Sequence, residues 1–281
     1  MEESDCVLSY RADGEIRYGD VVVNVRGNCL TVTVANPHLR DVDRSSRGEV
    51  GWFSKASRLR LLRLTSSMDR KAMGRCSMLS LTWPDWIPDV SPERRTLALS
   101  LMQRHVERLS REQRPGVWRV EWEIRKSGRR RKQLFPHIHV LYYNAPWLDK
   151  LGIEAAWQSS LSSDRVVRTR IEEERRHGRI QMYISKYLAK PVGRIVSLSL
   201  SHTSADGEVI RPGRTWGCFR RGGLPWAKET EVVLPVGDAR IDALRDAARG
   251  IWDGVSADPQ MGFTLLGPRG PEAAQKILNL P

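Results

Sequence analysis

The chain predicts an α+β fold, an antiparallel sheet with helices covering one face, with small extensions at both ends. Short β-branched runs open the chain, a pair of alternating strands around a glycine lies in its middle, and segments of helical spacing flank that pair. Val21–Val25 and Leu30–Val34 read as short strands joined by an Arg26-Gly27-Asn28 turn. Ser54 to Lys71 is basic, with Leu61, Leu62 and Leu64 at helical spacing. From Met78 the pattern becomes a strand, followed by a helix opened by Ser91-Pro92-Glu93, serine as N-cap and proline at the first helical position. Trp118–Arg125 and Leu134–Tyr143 form a hairpin, followed by a helix near Leu148–Ser160, a strand near Val166–Ile171 and a helix over Arg179–Lys190 that Pro191 stops. This βαββαβα order defines a core over 51–194, between a β-rich extension over 1–50 and an accessory region over 195–281 with an acidic-basic helix at Asp238–Ile251 and a Pro-Gly-rich end.

The 281 residues carry 46 Lys and Arg against 33 Asp and Glu, a net charge of +13 that favours a polyanionic partner, nucleic acid first. The densest basic cluster, Arg125, Lys126, Arg129, Arg130, Arg131 and Lys132, falls at the predicted hairpin tip. The cysteines, Cys6, Cys29, Cys76 and Cys218, are too widely spaced for a Cys-x-x-Cys clasp and too few for a disulfide scaffold, so a reduced cytoplasmic protein is expected. Met1-Glu2-Glu3-Ser4-Asp5 lacks the basic and apolar regions of a signal peptide, and no apolar run approaches the ~18 residues of a membrane span. There is no Gly-x-x-x-x-Gly-Lys-Ser/Thr loop, so strand separation would need a partner.

Two motifs carry chemistry. In Phe135-Pro136-His137-Ile138-His139-Val140, strand alternation sends both imidazoles to one face and Ile138 and Val140 to the other. Two imidazoles so placed can clasp one divalent cation, although a bare His-x-His is more often a pair of strand histidines without a ligand. The second motif, Tyr183-Ile184-Ser185-Lys186-Tyr187-Leu188-Ala189-Lys190, repeats Tyr-x-x-Lys, so that Tyr183, Lys186, Tyr187 and Lys190 share one helical edge. An isolated Tyr-x-x-Lys is ordinary amphipathic packing. The duplication and the upstream histidines argue for more.

With Met78-Leu79-Ser80-Leu81-Thr82-Trp83-Pro84 as a first motif, His137-Ile138-His139 as a second and Tyr183 to Lys190 as a third, the chain resembles the HUH endonuclease superfamily, specifically the rolling-circle replication initiators of bacterial plasmids and single-stranded DNA phages. The histidines precede the tyrosines, which disfavours conjugative relaxases. Phe53 to Arg58, Trp118 to Glu123 and Gly213 to Gly217 add to the resemblance, which spans roughly Gly51 to Leu224. It implies a ferredoxin-like or RRM-like core, Mg²⁺ or Mn²⁺ as cofactor, single-stranded or hairpin origin DNA as substrate, and a host helicase and DNA polymerase as partners.

Within the hairpin, Glu121 and Glu123 share one face of their strand, and a turn centred near Gly128 to Arg130 sets them opposite His139 and His137 respectively. Enzymes of this superfamily complete the metal site with an acid or amide, and the resemblance favours Glu123, with Glu121 second; pairing of either with the hairpin arginines is the plainer account. Ser80 and Thr82 alternate on one face of the first-motif strand, where they can touch DNA or support the ligands. Most of the tryptophans are expected in the core, with base stacking as the other use of Trp83, Trp86, Trp118, Trp122 and Trp216.

The chemistry so implied is phosphodiester cleavage. A tyrosine, with an ordinary pKa near ~10, needs its phenolate stabilised, a role that suits Lys186 and Lys190. The resemblance implies a 5′-phosphotyrosine, a free 3′ hydroxyl that primes synthesis, and two tyrosines acting in turn. A transposase of the same chemistry and a non-catalytic RRM-like nucleic-acid binder are the alternatives.

Overall fold

The computed structural model describes residues 18–35, 53, 55–82, 84, 115–124, 126, 128, 131, 134–145, 148–161, 163–167, 169–174, 215–251 and 262–280. The helix expected from Ser91 and the tyrosine helix lie outside the described residues. Those described form an α+β fold of four helices and two antiparallel sheets, divided between two compact units.

The larger unit is built on β3 (Cys76–Thr82), β4 (Gly116–Ile124), β5 (Leu134–Tyr142), β6 (Arg170–Glu174) and β7 (Trp216–Phe219), in the order β6-β3-β5-β4-β7. Counted along the chain, the first four run fourth, first, third, second, which is the order of a split β-α-β arrangement. The long β3-to-β4 connection follows from this order, because β5 lies between two strands of the same direction. Alternation divides each strand. Leu79, Leu81, Trp118, Val120, Ile138, Val140 and Tyr142 face a core completed by Leu148, by Ile153 and Trp157 of α2 (Lys150–Ser160), and by Val167 and Phe219. Each fully buried aliphatic chain there contributes roughly 1.5–3 kcal/mol. Asp149 caps α2, its carboxylate accepting from the Gly152 N–H at 3.1 Å. Trp157 anchors α2 to the sheet by donating its indole N–H to the Thr82 carbonyl at 3.2 Å.

Three features of this unit differ from the sequence expectation. The strand expected at Val166–Ile171 begins only at Arg170, opposite Ser80. Val167 is buried, but it enters the core from a loop. The sheet also runs past residue 194, since β7 pairs with β4.

The second unit joins the two ends of the chain. Its sheet is β8-β1-β2-β9, made from β1 (Val21–Arg26), β2 (Cys29–Val34), β8 (Glu229–Leu234) and β9 (Phe263–Leu266). Residues expected as separate N- and C-terminal extensions thus share one core, in which Val23, Leu30, Val32 and Leu265 pack with Ile241 and Leu244 of α3 (Ala239–Ile251) and Ala274 and Leu278 of α4 (Arg269–Leu278). The β1–β2 turn lies where expected: Arg26 pairs with Cys29, and Gly27 adopts a left-handed φ of 56°. A Cβ on Gly27 would lie 2.8 Å from the Ser66 carbonyl oxygen, so glycine is required twice over. The Pro-Gly-rich end includes the helix α4. Pro271 falls in its first turn, where a missing N–H costs nothing, and Gly270 lets the helix approach Leu265 and Leu30. The remaining helix, α1 (Lys55–Ser66), carries the chain from one unit to the other.

Candidate metal centre

The face of the five-stranded sheet opposite α2 carries the candidate site. Backbone pairing sets Ser80, His139 and Arg119 in one row across three strands and Thr82, His137 and Glu121 in the next. All six side chains therefore leave the sheet on one side. Edge strands extend the first row with Arg170 on β6 and Trp216 on β7. Arg170 pairs with Glu172 along its own strand.

Glu121, His137 and His139 converge. The Nε2 atoms of His137 and His139 lie 3.1 and 3.2 Å from the same carboxylate oxygen, Glu121 Oε2. The imidazole rings meet edge to face, their centroids 4.6 Å apart and their planes at 80°. All three residues are buried, with exposures of 5, 7 and 4% in chain order. Their donor atoms lie within 4.8 Å of one another, so the cluster can hold a metal ion through two nitrogens and one oxygen. A buried polar group of this kind needs partners, and a divalent cation supplies one to all three at once.

Ser80 completes the inner arrangement, its hydroxyl 2.9 Å from His139 Nδ1. The hydroxyl can donate or accept, which matters for ligation. When His139 donates Nε2–H to Glu121, Nδ1 accepts from Ser80. When Nε2 offers its lone pair to a metal, Nδ1 carries the proton and donates to Ser80. One serine thus holds the ring in either tautomer. Burial pushes the His139 imidazole below its ordinary value, against the opposing hydrogen bond to Glu121. The neutral, metal-binding form is favoured accordingly.

The register differs from the expected one by two residues. Glu121 stands opposite His137 rather than His139, and Glu123 opposite Phe135 rather than His137, so the acid that meets the histidines among the described side chains is Glu121. The ladder runs to Ile124 and Leu134, and the turn closes from the Gly128 carbonyl to the Arg131 N–H at 3.2 Å, so the hairpin folds about residue 129. Pro136 pairs with Trp122 of β4 and lies beyond Thr82–His137, the last β3–β5 pair among the described residues.

Of the basic hairpin residues, Lys126 and Arg131 are exposed at the tip; Arg125, Arg129, Arg130 and Lys132 lie outside the described residues, as do Tyr183, Lys186, Tyr187 and Lys190. Thr82 holds its place beside His137, with its carbonyl engaged by Trp157. Trp118 belongs to the core. Sequence reasoning did not single out Arg119, which is 1% exposed on the site face with its guanidinium 4.0 Å above the Phe53 ring. The signal for it was present, because Arg119 precedes Glu121 by two in an alternating strand.

Among the described residues no helix is long and apolar enough to cross a membrane. No known protein family, curated protein or solved structure matches this chain.

Proposed function

We propose that this chain is a rolling-circle replication initiator, a metal-dependent enzyme that nicks and rejoins single-stranded DNA through a covalent 5′-phosphotyrosine. The observation that carries this reading is the convergence of Glu121 with His137 and His139 on the central strands of a sheet in split β-α-β order. The chain order of histidines before the Tyr183–Lys190 motif and the net charge of +13 support it.

Glu121, His137 and His139 would hold Mg²⁺ or Mn²⁺, which when bound would supply Lewis-acid polarisation of the scissile phosphate. Ser80 fixes the ring of His139 for that role. Tyr183 or Tyr187 attacks phosphorus through its phenolic oxygen, forming the P–O bond to tyrosine as the bond to the 3′ oxygen breaks. Lys186 and Lys190 stabilise the phenolate, and the departing 3′ oxygen takes up a proton in exchange for the one the tyrosine gave up, leaving a 3′ hydroxyl. The phosphotyrosyl bond conserves the energy of the bond it replaces, so the reverse attack by a 3′ hydroxyl rejoins DNA without ATP. The basic hairpin gathers the strand, and a host helicase and polymerase follow.

The test is a covalent adduct. Labelled origin-like single-stranded DNA with Mn²⁺ is expected to give a band that resists SDS and disappears with protease. It should be absent in the Tyr183→Phe/Tyr187→Phe double variant and in His137→Ala, and the single tyrosine variants identify which residue attacks. Demonstrable DNA binding with no adduct on any substrate would overturn the enzymatic reading in favour of a binding protein.

A further inference from the structure

Arg119 stands beside the metal site without a ligand's role. It lies directly opposite His139 in the β4–β5 ladder and shares the face of Glu121. Its guanidinium is enclosed, with Phe53 stacked over it and Arg58 close enough to disfavour its charge. A guanidinium is always charged at neutral pH, so Arg119 brings a fixed cation to this face of the sheet. A buried cation in this position is costly unless it is used. The requirement of the neighbouring site explains it, because two imidazoles, which must be neutral to ligate a metal, and one carboxylate carry a single negative charge, and Arg119 offsets it.

We propose that Arg119 is a built-in counter-cation of the metal centre, a positioning charge that weakens the hold on a divalent ion and leaves more of that ion's charge available to a bound phosphate oxygen. Without a metal, Arg119 compensates the buried Glu121 carboxylate, so the empty triad remains assembled. With a metal, the fixed positive charge repels the ion, which makes it exchangeable and more electrophilic. Phe53 keeps the guanidinium in place by cation–π contact and shields it from water.

The affinity limb rests only on the triad, and the phosphate limb rests on the proposed nicking activity. Their tests are separate. Mn²⁺ affinity of the full chain, read by electron paramagnetic resonance with no DNA present, is expected to tighten about tenfold in Arg119→Met and Arg119→Gln and to stay within about twofold of wild type in Arg119→Lys, a tenfold change being ~1.4 kcal/mol. At saturating Mn²⁺, the rate of adduct formation is expected to fall in the two neutral variants. Opposite signs of the two effects are the signature, because a merely structural arginine would weaken metal binding and activity together. Weaker or unchanged Mn²⁺ binding in both neutral variants, with thermal melts showing them folded, overturns the proposal. So does a lysine variant that binds as tightly as the neutral ones. If wild type fails to bind Mn²⁺, both the metal centre and this inference fall. Tighter binding with no adduct in any variant keeps the counter-cation and removes the nicking reading.

Discussion

Both sheets pack helices on one face, but they use the opposite face differently. The five-stranded sheet buries Arg119, Glu121, His137 and His139 there, whereas the four-stranded sheet sets Val22, Asn24, Thr31 and Thr33. Asn24 donates its side-chain amide to Glu231 at 3.1 Å. Desolvating a carboxylate and a guanidinium costs far more than desolvating a threonine. Hydrogen bonds and compensating charge offset that cost in the larger unit, and a failure to supply them would be felt across the whole group. The contrast separates a sheet that is stabilised by its composition from one that carries a polar constellation on account of its chemistry.

The sharpest way to break this contrast is to remove the shared acceptor. Glu121→Ala deletes the oxygen that both imidazoles reach and leaves Arg119 buried without its countercharge. Mn²⁺ affinity should fall by at least about 100-fold, and stability should fall by about 3 kcal/mol, the usual cost of orphaning a buried charge. Titration of Mn²⁺ and urea denaturation measure the two effects. A variant that is as stable as wild type and binds Mn²⁺ normally would sink the account of the site.

The four-stranded sheet offers the converse. Leu30 is 1% exposed and packs in the cluster that both ends of the chain create, so Leu30→Ala should cost about 2–5 kcal/mol. No residue of the Glu121–His137–His139 triad belongs to that cluster, and Mn²⁺ affinity should be unchanged under conditions where the variant remains folded. Loss of both together would show that the two sheets are not energetically separate.

How much of each sheet was legible in the sequence follows the range of the signal. The β1–β2 hairpin was readable because Gly27 fixes a short turn between β-branched runs, and α2 because its spacing and cap are local. The pairing of β1 with β8 and of β2 with β9 was not, since it joins residues some two hundred positions apart and periodicity holds no information about partners. Within the site, the common face of His137 and His139 was a matter of alternation alone. The choice between Glu121 and Glu123 depended on the length of the connection from Arg125 to Gln133, and a two-residue change in register exchanges one acid for the other without changing the face. Arg119 escaped notice because charge on a strand next to an acid reads as a surface pair until burial is known.

A smaller effect is expected at Ser80. Ser80→Ala removes the partner of His139 Nδ1 while leaving the three candidate ligands in place. Loss of such a supporting contact typically costs tenfold or more in metal affinity, so about tenfold weaker Mn²⁺ binding is expected, with His137→Ala far more severe. Equal binding by Ser80→Ala and wild type would mean that packing alone orients the ring.

The smallest expected effect is a pH dependence that only the site-bearing sheet should show. Burial holds the His139 imidazole below its ordinary value, with the proximity of His137 and Arg119 adding to the effect and Glu121 opposing it. In the unfolded chain the same group titrates near ~6.5, so below that pH the unfolded state binds more protons than the folded one. Stability contributed by the neutral buried ring is therefore present above about 6.5 and is lost as pH falls toward the folded value, with a slope no steeper than about 1.4 kcal/mol per pH unit for one proton. Urea midpoints of the protein in chelator at pH 7.5, 6.5 and 5.5, each condition being about one unit apart across this window, should show the decline. The His139→Gln variant should lose that part of it. If the variant declines as steeply as wild type, another group carries the dependence; if Arg119→Met flattens it as well, the buried cation contributes to keeping the ring neutral, which would tie the acid sensitivity of the site to the same charge that tunes its hold on metal.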